Sequence, residues 1–217
     1  MEKKMYRTVL AFGAAMLFTT AAFACDGQKG NVIFEDNFAD DTGGWTFDDY
    51  LVSKPPGAFI QDPANTSGGY ASSIFNNTFT AGQADYCSEM TFPKDTDKVD
   101  ARIGLAFFAK DHYNYMILDA FSDGTIILNK LVNNSWARLF VTKVDGVMKL
   151  GETDVNSLRV VIKNGLLTAI VNGKKIKSIK MQIPSDNQMF GFYTEYANPS
   201  ATPVQFPVHS FKVTEGE

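Results

Sequence analysis

The sequence holds only two Cys and two His in 217 residues, which leaves little material for a Cys/His metal cluster. Lys and Arg total 20 against 24 Asp and Glu, for a net charge of −4. That balance supplies no basic surface for a phosphate backbone, and no nucleic-acid partner is expected. Eight Pro and a 20% share of charged residues, beside 45% hydrophobic residues, exclude a disordered chain. No G-x-S-x-G, G-x-G-x-x-G, P-loop or H-E-x-x-H motif occurs. No stretch of the chain beyond the leader shows a sustained helical period, and no apolar run reaches the ~20 residues of a membrane span.

Aromatic residues are plentiful, at 13% with 18 Phe, and Gly (17) supplies turns. Period-two alternation predicts strands at Val32–Asn37, Ala58–Gln61, Ala71–Asn76, Tyr86–Phe92, Val99–Lys110, Tyr113–Phe121 and Thr125–Val132. It predicts others at Ser135–Val144, Ser157–Lys163, Leu166–Val171, Lys174–Lys180, Met189–Tyr196 and Val208–Thr214. Turn chemistry separates them at Asp123-Gly124, Asn133-Asn134, Asn164-Gly165 and Asn172-Gly173. Many short antiparallel strands without a linker make a two-sheet antiparallel β-sandwich the economical architecture, as one domain over residues 31–217.

Residues 1–24 read as an export signal. Lys3, Lys4 and Arg7 precede an apolar run from Val9 to Phe18, and Ala22-Phe23-Ala24 forms an A-x-A cleavage site. Residues 25–30 are a short N-terminal segment before the domain. Removing Lys3, Lys4, Arg7 and Glu2 leaves 17 basic and 23 acidic residues. A periplasmic or secreted location follows, and two readings of Cys25 stay open there. It pairs with Cys87 as a disulfide, or it becomes the acylated first residue of a membrane-attached lipoprotein; Ala24 suits a lipobox, whereas Ala22 stands where Leu is usual.

The run GLAFFAKDHYNYMILDAFSDGTIILNKLVNNSWARLF (Gly104 to Phe140) resembles the strand pairs of concanavalin A-like, laminin-G-like jelly-roll domains. So does NSLRVVIKNGLLTAIVNGKKI (Asn156 to Ile176), and FEDNFADDTGGW (Phe34 to Trp45) is similar to the family's opening strand. The resemblance implies a jelly roll in which Phe206 to Val213 pairs with the first strand, and a fold-supporting role for Trp136. It spans lectins, glucanases and non-catalytic modules, as well as a 3-keto-disaccharide hydrolase-type domain family, so it does not choose a function. It also implies a structural calcium near the paired terminal strands, for which Glu35, Asp36 and Asp40 are the candidate ligands, with Asp41, Asp48 and Asp49 nearby. The closing motif Val208-His209-Ser210-Phe211-Lys212-Val213 lacks the family's acid, which argues against that cation. No other cofactor is expected.

A glycosidase needs two carboxylates roughly 5–9 Å apart. No predicted strand carries the Glu-x-Asp spacing, and Asp95-x-Asp97 and Glu152-x-Asp154 fall in polar loops. Asp119 and Glu195 meet only if their strands are brought together. A two-residue turn at Asp123-Gly124 puts Tyr115, Ile117, Asp119 and Phe121 on one face with Ile126, Leu128 and Lys130. Tyr115, Asp119 and Lys130 are therefore the candidate ligand-binding residues, Tyr115 stacking on a sugar ring and the other two hydrogen-bonding it. The alternative is a cross-strand charge pair beside a half-exposed Tyr. The leading expectation is an exported, non-catalytic, lectin-like module binding carbohydrate or another envelope ligand; a glycoside-cleaving enzyme and a structural or protein-interaction domain are the alternatives.

Overall fold

A computed structural model describes residues 24–40, 43–46, 51–54, 57–61, 70–94, 101–196 and 204–216. Among the described residues, a 3-10 turn at Ala24–Gly27 is followed by fifteen strands. They are β1 (Val32–Asp36), β2 (Trp45–Thr46), β3 (Leu51–Lys54), β4 (Ala58–Gln61), β5 (Tyr70–Asn76), β6 (Asp85–Met90), β7 (Ala101–Asp111) and β8 (Asn114–Phe121). Then come β9 (Thr125–Val132), β10 (Ser135–Lys143), β11 (Asn156–Lys163), β12 (Leu166–Val171), β13 (Lys174–Lys180), β14 (Met189–Tyr196) and β15 (Val204–Thr214). The predicted strands are all present, with shifted ends, and β2 and β3 are additional. No helix among the described residues is long and apolar enough to cross a membrane.

The strands form two antiparallel sheets. One has the order β13-β12-β11-β6-β15-β4-β3, with β1 also paired to β15; the other has the order β10-β9-β8-β7-β14-β5-β2. The first strand thus pairs with the last, Phe34 opposite Val213 and Asp36 opposite Phe211. Asn164-Gly165 and Asn172-Gly173 both take positive φ at their two residues, as type I′ hairpin turns require, and Asn133-Asn134 does the same between β9 and β10.

The Asp123-Gly124 turn differs from expectation. Only Gly124 has positive φ there. The Gly124 N–H donates to the Phe121 carbonyl, and Asp123 Oδ1 accepts the Thr125 N–H. The loop is therefore three residues long, ending in a left-handed glycine. Tyr115 faces Leu131, Ile117 faces Asn129 and Asp119 faces Ile127. Every β9 side chain lies on the opposite face from the one a two-residue turn gives.

Between the sheets lies the main core, where Ile103, Leu105, Leu118, Leu128, Phe190, Phe192, Phe206 and Phe211 are fully enclosed. A disulfide joins Cys25 to Cys87 in the interior strand β6. Beside it Asp85 accepts from Arg159 Nε at 2.8 Å, clasping β6 to β11. The second sheet also carries a smaller apolar cluster on its outward face: Phe75, Ala106, Ala109, Tyr115, Ile117, Leu131 and Tyr193.

Candidate functional site

The outward face of the second sheet is built from transverse rows of side chains. Ser73, Tyr193, Gly104, Asp119 and Ile127 stand side by side across β5, β14, β7, β8 and β9. On one side lies the row Ala71, Glu195, Arg102, Phe121. On the other lies Phe75, Gly191, Ala106, Ile117, Asn129, Arg138, and beyond it Tyr115, Leu131 and Trp136.

Small residues form the floor. A Cβ on Gly104 would sit 2.8 Å from Tyr193 Cβ and 3.0 Å from Asp119 Oδ1; one on Gly191 would sit 1.8 Å from the Ile74 carbonyl oxygen. These gaps let rings from distant strands meet. Phe75 and Tyr115 stand edge to face at 5.3 Å, and Tyr115 meets Trp136 edge-on at 5.7 Å. His112 lies against Phe75 and shares a hydrogen bond with Ser73 Oγ. Phe75, Tyr115 and Tyr193 are buried, whereas Trp136 is 51% exposed.

Polar groups sit beside the rings. Asn129 Nδ2 donates to Asp119 Oδ2 at 2.9 Å, and Asp119 Oδ1 is buried without a hydrogen-bond partner. Burial pushes the Asp119 carboxyl up to about 7, against the lowering effects of Arg102 and of the Asn129 hydrogen bond; Glu195 adds to the rise. Arg102 pairs with Glu195 and lies 4.5 Å over the Phe121 ring. Tyr193 Oη donates to Glu195 Oε2 at 2.5 Å, and burial, with these carboxylates, holds its hydroxyl far above the usual range. Burial likewise pushes Tyr115 up to about 12. Asp119 and Glu195 therefore do share a face, but Asp119 is enclosed and Glu195 is engaged by Arg102 and Tyr193.

The structure rearranges the sequence-predicted site. Tyr115 and Asp119 share the outward face, while Lys130 lies opposite Met116, in the alternate set that packs between the sheets, and Asn129 takes the place beside Asp119. Tyr115 is buried rather than half exposed. Trp136, to which the resemblance gave a fold-supporting role, has an exposed ring. Trp45 instead supports the core: it packs against Phe34, Phe38, Phe192 and Phe211, and its Nε1–H donates to Asp36 Oδ2. The side chains of Tyr50 and Tyr70, and residues Asp41, Asp48, Asp49, Asp95 and Asp97, lie outside the described residues. His209 shares a hydrogen bond with Thr91, and burial lowers its basicity.

The donor set of Glu35 and Asp36 does not fit a calcium ion. Asp36 Oδ1 accepts the Phe38 N–H, its Oδ2 accepts Trp45, and Glu35 pairs with Lys212 at 3.2 Å. Asp40 is an exposed residue on the same segment. Among the described residues no three acidic, His or Cys side chains converge as metal ligands.

No family profile and no curated protein sequence matches the chain. Solved structures do. A β-glucanase from Bacillus licheniformis superposes with a TM-score of 0.59 at 13% identity, covering 86% of this chain and 99% of that one. The potassium-bound carbohydrate recognition domain of Emp46p gives 0.58 at 12% identity, covering 87% and 100%. The carbohydrate-binding module CBM66 from Bacillus subtilis gives 0.54 at 13%, covering 77% and 94%. The fold is a two-sheet jelly-roll β-sandwich, shared with these structures. These similar structures include both a glucanase and binding modules, so the fold does not choose a function.

Proposed function

We propose that this chain is an exported, non-catalytic carbohydrate-binding module whose ligand lies on the outward face of the sheet that holds β10, β9, β8, β7 and β14. The observation that carries the reading is the exposed Trp136 indole, held edge-on by buried Tyr115 beside a row with Asn129 and Arg138. An aromatic plane with amide and guanidinium donors next to it offers stacking on a sugar ring and hydrogen bonds to its hydroxyls. Neighbours in fold include a glucanase, a carbohydrate-binding module and a carbohydrate recognition domain, which supports a saccharide as ligand. The buried disulfide supports an oxidising, extracytoplasmic setting.

A second reading, a glycoside-cleaving enzyme, is favoured by one observation. Asp119, at about 7, is in the range of a general acid, and Glu195 stands in the adjacent row. The enclosure of Asp119 and the engagement of Glu195 by Arg102 and Tyr193 favour binding over cleavage. A glycan array with the exported protein, scored for both retention and hydrolysis, tests the two. Retention lost in Trp136→Ala supports the binding module, and turnover abolished by Asp119→Asn establishes the enzyme. Neither retention nor turnover would leave a structural or protein-interaction domain.

A further inference from the structure

Where β13 ends, a cavity of about 530 Å³ opens between the sheets, with Tyr115 and Leu131, which stand beside Trp136, among its lining residues. That size suits a small organic ligand, in the range of roughly 300–1,000 Å³. Its wall is mainly apolar, with Met116, Ile179 and Met181 among the lining side chains.

Two irregularities of the backbone supply further apolar groups. Phe108 has φ of 50°, a left-handed conformation unfavourable for an aromatic residue, at the bulge where the β7–β8 register shifts. That turn brings consecutive residues Phe107 and Phe108 to the same side, their rings 5.4 Å apart, with Phe108 lining the cavity. Leu139 is the residue left over where the β9–β10 register shifts between Arg138 and Phe140; it is 41% exposed and lines the same cavity.

The charge around this cavity is one-sided. Lys110, Lys130 and Lys180 line it, no Asp or Glu does, and none of the three makes an ion pair among the described residues. Asp111, next to Lys110 and electrostatically attracted to it, accepts the Tyr113 N–H and Asn114 Nδ2 within its own turn. In a chain of net charge −4 this is a local cationic collar around an apolar hole.

We infer that the cavity binds a single-chain amphipathic carboxylate, its hydrocarbon tail against Phe108, Met116 and Met181 and its head among Lys110, Lys130 and Lys180. The inference does not rest on the saccharide reading: Trp136 is not among the lining residues, although Tyr115, which its ring meets, is.

Calorimetric titration of the disulfide-intact protein with laurate below its micelle concentration tests it, against acetate and dodecyltrimethylammonium. Saturable binding of one laurate per chain is expected, about tenfold or more tighter than either control. Lys130→Glu with Lys180→Glu should weaken laurate by a similar factor and improve the cationic probe. Leu139→Glu, an exposed site, should weaken laurate without touching a lysine. Equal affinity for the anionic and cationic probes, absence of saturable laurate binding, or indifference to both sets of substitutions in variants with native circular dichroism would overturn the assignment.

Discussion

Asn129 Nδ2 donates to one carboxylate oxygen of Asp119 at 2.9 Å, while the other oxygen is buried with no partner. An ionised carboxylate there has an orphaned, desolvated charge centre, whereas the protonated acid has less to lose. The Asp119–Asn129 pair is therefore a pH-sensitive element within the outward face.

The native state binds a proton at Asp119 up to about pH 7, whereas in the unfolded chain the same group releases it near 3.8. Between those values the folded protein holds more protons, so this group makes stability fall as pH rises, and its effect levels off above the folded value. Asp119→Asn keeps an acceptor for Asn129 and removes the titration. Denaturant midpoints across pH 4–8 should show the slope in the parent and its loss in the variant, on the order of 4 kcal/mol across the window. An unchanged slope would assign the titration elsewhere.

Arg102 is the largest influence holding the Asp119 value down. Arg102→Met removes that attraction while leaving Asn129 and the burial in place. The Asp119 carboxyl should then titrate above the parent's value, which ¹³C-detected NMR of the side-chain carboxyl reads directly. A downward movement would mean that release of Glu195 from its ion pair had reorganised the row.

Gly104 is needed for closeness rather than for a turn. The added methyl of Gly104→Ala meets Tyr193 Cβ and Asp119 Oδ1, both inside a filled row, and overpacking of this kind costs typically 1–3 kcal/mol. Urea unfolding should show that loss, together with a changed near-ultraviolet signal from Tyr193. A neutral outcome would show that the row yields easily.

Tyr115 and Trp136 touch, yet they should respond oppositely. Tyr115→Ala empties a buried site and should cost about 3 kcal/mol or more, as large aromatic truncations do. Trp136→Ala removes a half-exposed ring and should change stability by less than about 1 kcal/mol while abolishing glycan retention. Equal stability losses in the two variants would make Trp136 a structural residue after all.

These contrasts mark how far the sequence could be read. The Asn-Gly hairpins and the strands around them were legible because turn residues with positive φ and period-two patterns are local. The pairing of Asp119 was not, since Asp-Gly serves both two-residue and three-residue loops, and one residue of slip exchanged Lys130 for Asn129. The Thr after Asp123-Gly124 was the available signal, because Asp123 accepts both its N–H and its hydroxyl. The meeting of Asp119 with Arg102 and Glu195 depends on β7 lying between β8 and β14, a matter of sheet order that no local pattern encodes. The lysine-rimmed cavity was likewise hidden, because bulges at Phe108 and Leu139 break the alternation from which faces are assigned.

The two fates of Cys25 are chemically exclusive, and the structure makes the choice measurable. Its Sγ is bonded to Cys87, and thioether acylation would need that same sulfur, leaving Cys87 as a buried free thiol. The Cys25 nitrogen also lies 3.2 Å from Oε1 of buried Glu89, whose Oε2 accepts from Ser210 Oγ. Cleavage after Ala24 would place an α-ammonium against that carboxylate, a buried pair in which each partner needs the other. The expected product in the native host is a chain beginning at Cys25, two hydrogens lighter than its reduced form, without thiol reactivity before reduction. Cys25→Ser with Cys87→Ser should then lower unfolding stability by about 2–4 kcal/mol, as loss of a covalent loop closure does. An intact mass carrying acyl chains together with one titratable thiol would overturn the disulfide and, with it, the packing of the N-terminal segment on β6.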